Sequence, residues 1–78
     1  MTDHAAIRLV NKLKVHRAMH DLTQGELAEC VGVTRKSINS IENRHVVPST
    51  ELALKMAQVL DCTVEGLFQL PPTSGGVT

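Results

Sequence analysis

Between residues 34 and 44 the chain gathers directional hydrogen-bond donors: Thr34, Arg35, Lys36, Ser37, Asn39, Ser40, Asn43 and Arg44. Lys36 and Ser40 are four apart, so a helix puts them on one face, with Arg35 in its first turn. Donors of this kind suit nucleobase edges. Arginine grips guanine O6 and N7 with two bonds, lysine donates to the same acceptors, and an asparagine rotated inward pairs with adenine. The plain alternative for Lys36 and Asn39 is a solvated helix face. Other chemistries fail on spacing. His16 and His20 could form one edge of a metal site, but no third ligand has a compatible spacing, so solvated histidines are expected. Cys30 and Cys62 are too few for a disulfide framework and lack zinc-type spacing. Cys62 is expected to be a buried thiol, and Cys30 an outward one on a helix. No Ser-His-Asp set or carboxylate pair assembles. Neither catalysis, cofactor nor metal is expected.

The elements that must position these donors are marked by punctuation at Gly32, Pro48, Pro71-Pro72 and Gly75-Gly76. Asn11 is expected to cap a first helix running to about His20. Upstream, Ile7–Val10 reads equally as a short strand or an extra helical turn. Thr23 and Glu26 form a capping box opening a second helix, with Leu27, Ala28 and Val31 inward and Gly32 as left-handed terminator. Thr34 caps a third helix with Ile38 and Ile41 inward. After a loop over 43–48, Ser49 caps a fourth, whose inner face is Leu52, Ala53, Met56, Ala57 and Leu60. Thr63 caps a short fifth through Leu67. The fold class is mainly α, a five-helix bundle.

Composition bounds the function. A chain of 78 residues is one domain, expected over 1–70, with 71–78 a disordered tail. Phe68 is the single aromatic residue, which argues against single-strand binders and sugar platforms that stack on rings. No apolar run is long enough to span a bilayer, and Met1–His4 does not resemble a signal peptide. A soluble cytoplasmic protein without membrane insertion is expected. Net charge is zero but unevenly spread. Arg8, Lys12, Lys14 and Arg17 face only Asp3 in residues 1–20, and Arg35, Lys36 and Arg44 face only Glu42 in 34–45. A local basic face of this kind permits phosphate binding.

The stretch Gln24–Asn43, QGELAECVGVTRKSINSIEN, has the steric requirements of a helix-turn-helix. Ala28 is small where the second helix must cross closely, and Gly32 suits a turn with positive φ. Leu27, Val31, Val33, Ile38 and Ile41 fill the space between. A generic helical hairpin explains the apolar spacing but not Ala28, Gly32 and the cap Thr34 together.

From about Leu13 to Phe68 the chain resembles the Xre/Cro/repressor type of helix-turn-helix regulator, most nearly short members related to the cytolysin repressor. The resemblance rests on Leu-Thr-Gln at 22–24, Glu-Leu-Ala at 26–28, Gly-Val-Thr-Arg at 32–35 and Ile-Asn-Ser-Ile-Glu at 38–42. Pro-Ser-Thr-Glu-Leu-Ala at 48–53 and Glu-Gly-Leu-Phe at 65–68 complete it. Gly25 departs from the usual Glu or Ala, and Asp61 takes a place often held by glycine. The resemblance implies a small antiparallel β-ribbon from Ile7–Val10 and Phe68–Leu70. It also implies a homodimer on a palindromic double-stranded DNA operator, in a bacterial or phage-encoded, nucleoid-associated regulator.

On that basis Arg35, Lys36, Ser40 and Asn39 are candidate base contacts. Gln24, Thr34, Ser37, Asn43 and Arg44 are candidate phosphate contacts. Arg17 and Glu42 match a partly buried structural salt bridge, the alternative for Arg17 being a phosphate ligand. The last helix and Phe68–Leu70 are expected to supply the two-fold interface. The leading function is a DNA-binding transcriptional regulator, a repressor. The rival is an antitoxin or other protein-binding module, because a shared fold does not decide between them.

Overall fold

A computed structural model describes residues 9–71. Its order is β1 (Val10–Asn11), α1 (Leu13–Met19), α2 (Gln24–Val31), α3 (Arg35–Glu42), α4 (Thr50–Val59), α5 (Val64–Leu67) and β2 (Phe68–Gln69). The strands pair antiparallel, Val10 opposite Gln69 and Asn11 opposite Phe68. The architecture is the mainly helical one expected, ribbon included. β1 ends one residue beyond the expected Ile7–Val10, and β2 stops at Gln69, so Leu70 of the expected Phe68–Leu70 does not pair. Pro71 has no N–H with which to extend the ladder. Ile7 and Arg8, and the tail from residue 72 onward, lie outside the described residues.

Short side chains start the later helices. Thr23, Thr34, Ser49 and Thr63 each accept a hydrogen bond from the backbone N–H three residues on, at 3.0–3.1 Å. Each such cap contributes about 1 kcal/mol. Glu26 completes the box on α2 by accepting from the Thr23 N–H at 2.8 Å. The first helix differs from the sequence expectation. Asn11 is not its cap residue but lies in β1, where pairing with Phe68 keeps its backbone extended. Its Oδ1 still accepts from Leu13 N at 3.0 Å, and its Nδ2 donates to the Ile41 carbonyl at 2.8 Å. One side chain thus ties the ribbon to the start of α1 and the end of α3.

Four of the five helix ends follow one rule, α5 running instead into the extended β2. Gly32 terminates α2 at φ 79°, as its type predicts. Helices α1, α3 and α4 close the same way on residues that are not glycine: Asp21 (φ 56°), Arg44 (φ 63°) and Asp61 (φ 54°). In α3 the Arg44 N–H donates to Ile41 O and the His45 N–H to Ser40 O, the paired bonds of a Schellman closure.

Leu13, Leu27, Ile38, Met56 and Leu67 are wholly buried. With Ala28, Val31, Ile41, Ala57 and Leu60 they make one core shared by all five helices. Val33, Leu52 and Val64 pack against it while keeping some exposure. Among the described residues no helix is long and apolar enough to cross a membrane.

Candidate nucleic-acid interface

Helices α2 and α3 are joined by Gly32, Val33 and Thr34 and pack closely, with Ala28 only 2% exposed between them. Burying Ile38 and Ile41 turns the opposite face of α3 outward. Arg35, Lys36, Asn39 and Asn43 lie exposed along it, and Ser40 is half-buried at one margin. Lys36, Ser37 and Ser40 border a shallow groove closed by Val46–Pro48. On the other margin the Arg35 stem leans over the start of α2, where a Cβ placed on Gly25 would sit 3.9 Å from Arg35 Cδ. Arg35 and Lys36 occupy the first turn of α3 with no acidic residue there. Cations at the positive end of a helix dipole are locally unfavourable, and no ion pair among the described residues neutralises these two.

Beside this face lies a polar network that joins α1, α2 and α3 and the loop between the first two. Arg17 Nε donates to Glu42 Oε2 at 2.6 Å, and Nη2 to Oε1 at 3.2 Å. Arg17 Nη1 donates to the Leu22 carbonyl at 2.8 Å. The side chains are 14% and 4% exposed, so the pair is largely buried. The bond to Glu42 raises the Arg17 pKa above its ordinary value, against burial, which lowers it. Gln24 then donates from Nε2 to Glu42 Oε1 at 3.0 Å and to Asn39 Oδ1 at 3.2 Å. Asn43 Nδ2 donates to the same Asn39 oxygen at 3.2 Å. The structure therefore draws Gln24, Asn39 and Asn43 together with the Arg17–Glu42 pair. Spacing alone does not predict this, because residues 17, 24 and 42 lie on three different helices.

Residues 7–67 match the helix-turn-helix family model HTH_3. The chain belongs to the helix-turn-helix family. An uncharacterized HTH-type transcriptional regulator of Methanocaldococcus jannaschii is 45% identical over 58 residues, which cover 74% of this chain and 88% of that one. Two solved structures are similar in fold. The SinR protein, solved in a SinR–SinI complex, has a TM-score of 0.65 at 34% identity, covering 70% of this chain and 54% of that one. The P22 c2 repressor, solved with a synthetic operator, has a TM-score of 0.67 at 24% identity, covering 69% and 82%. The coarse function is that of a DNA-binding transcriptional regulator of the helix-turn-helix, Xre type.

In this helix-turn-helix protein the remaining candidate residues are largely engaged. Thr34 Oγ1 accepts from the Ser37 N–H and shares a hydroxyl–hydroxyl bond of 3.1 Å with Ser37 Oγ. One hydroxyl hydrogen of that pair is left to donate outward. Arg44 is exposed and stands at the left-handed closure of α3, where glycine or asparagine is the low-cost choice. Cys30 is exposed, as expected. Cys62 is half-buried rather than buried, because it follows the turn at Asp61 and packs only against the margin of the core. Burial, and then the charge of Asp61, push its thiol pKa up. His20 is exposed and His16 half-buried, and among the described residues no group of three metal-ligating side chains occurs.

Proposed function

We propose that this regulator is a repressor that binds a palindromic operator as a homodimer, with α3 lying in the major groove. Arg35, Lys36, Asn39 and Ser40 then meet base edges. Thr34, Ser37, Asn43 and Arg44 meet phosphates on either side. The observation that carries the reading is the outward face of α3, which starts with two cations and no acid. Both side-chain donors of Gln24 are used inside the protein. Its phosphate contact is therefore assigned to the backbone N–H groups of Gln24 and Gly25, which have no intrahelical acceptor at the first two positions of α2.

Arg44 is exposed beside the end of α3 and is held at φ 63° without the glycine that would relax it, a local cost that Asp21 and Asp61 share at their own helix ends. Arg44→Gly should leave stability unchanged or raise it by up to about 1 kcal/mol. The same change should lower the slope of log affinity against log salt by about one per half-site. An unchanged slope removes Arg44 from the phosphate contacts.

The two-fold interface is proposed on α4, the loop before it and Phe68–Leu70, with less of the last helix than the sequence suggests. Leu67 is fully buried and Val64 half-buried, so α5 exposes little apolar surface. Leu54, Val47 and Leu70 are 57%, 54% and 82% exposed. An apolar groove whose lining includes Val47, Pro48, Ala53, Leu54, Val64 and Phe68 runs beside them. An isologous contact needs one self-complementary patch, and a two-fold dimer reads both half-sites when its α3 helices stand about one DNA turn, roughly 34 Å, apart. Sedimentation at tens of micromolar should give a dimer, and Leu54→Glu a monomer that keeps the fold. A wild-type monomer with and without DNA would shift support to the protein-binding rival.

A further inference from the structure

The network beside α3 determines which way an amide on the reading surface faces. We infer that Asn39 presents only hydrogen-bond donors to DNA, and that Gln24 is the positioning residue that makes it so. Asn39 therefore favours guanine over adenine at the base it meets. This rests on the proposal that α3 reads bases.

The oxygen and nitrogen ends of an amide are told apart by their partners. Here the partners are ordered from the inside outward. The Glu42 carboxylate, held by Arg17 through two bonds, is an acceptor only. Gln24 must turn its Nε2 toward Glu42, and the second hydrogen of that nitrogen goes to Asn39 Oδ1. Asn43 donates to the same oxygen. A carbonyl oxygen has two lone pairs, so Asn39 Oδ1 is saturated. Its Nδ2 makes no hydrogen bond among the described residues, and the side chain is on the exposed face of α3.

The common asparagine–adenine pairing needs Oδ1 to accept from adenine N6 while Nδ2 donates to N7. With Oδ1 occupied, the adenine amino group would face no free acceptor. Guanine offers O6 and N7, both acceptors, to the two hydrogens of Nδ2. The inward-turned pairing with adenine that the residue type alone suggests is thus replaced by its opposite.

The test is selection of binding sites from a random-sequence DNA duplex pool by the wild-type protein and by Arg35→Ala, Asn39→Ala, Gln24→Met and Asn43→Ala variants, each first shown to fold by circular dichroism. One half-site position should lose its preference in Asn39→Ala. In the wild type that position should be guanine, favoured over adenine by about tenfold, the size of one good base contact. Gln24→Met, which keeps length but removes both donors, should reduce that ratio about threefold or more by freeing a lone pair on Oδ1. Asn43→Ala frees the other lone pair and serves if Gln24→Met does not fold.

Adenine at the Asn39-dependent position, no such position, or a guanine preference unchanged when either donor is removed would overturn the inference. If Arg35→Ala still alters the motif in those cases, the DNA-reading proposal stands without it. Failure of the wild type to select any motif overturns both.

Discussion

Arg17→Ala is expected to lower stability by about 3–5 kcal/mol. The change leaves the Glu42 carboxylate, only 4% exposed, with a single neutral donor, Gln24. It also removes the donor to the Leu22 carbonyl. Glu42→Ala should cost less. The stranded guanidinium is 14% exposed, keeps its bond to Leu22, and sits on a flexible stem that reaches water. For a domain of this size each kcal/mol moves the melting temperature by roughly 4–8 °C, so thermal melts separate the two variants readily. Removing both partners with apolar residues should recover much of the loss, because the cost lies in an uncompensated buried charge. Unchanged melts for both single variants would mean that the pair is solvated. A second consequence is functional: without Glu42 the orientation of Gln24, and through it Asn39, has no internal reference.

Arg35→Ala should cost about 1–3 kcal/mol per half-site on the selected operator, or about 2–6 kcal/mol for two half-sites of a homodimer. It should also relax preference at one base position in each half. Stability should change little, since Arg35 is exposed and makes no ion pair among the described residues. The contrast with Arg44→Gly is the informative part. Loss of a base contact changes which sequence is bound, whereas loss of a phosphate contact weakens every sequence alike and shows in the salt slope. Competition binding against operator variants, at two salt concentrations, distinguishes them. Wild-type affinity and selectivity in a folded Arg35→Ala protein would remove α3 as the reading element and favour a protein-binding role.

Local chemistry was legible in the chain itself. Thr23, Thr34, Ser49 and Thr63 announce helix starts, because a short side-chain oxygen before an apolar-periodic run satisfies an orphan N–H wherever the helix later packs. Gly32 announces a left-handed turn, and Ala28, Ile38 and Ile41 the buried faces, since 3.6-residue periodicity is a property of the chain alone. From these the outward row of α3 follows. Three things needed the folded molecule. Asn11 could not be read as a strand residue, because its extended backbone is imposed by Phe68, far along the chain. The apolar surface proposed for a partner gains Leu54 and Val47 beside the expected Phe68–Leu70, because only packing decides that Leu67 is consumed by the core. The sense of the Asn39 amide was hidden as well. An asparagine in isolation offers donor and acceptor equally, and only the convergence of Glu42, Gln24 and Asn43 from distant positions occupies one end and leaves the other for a ligand.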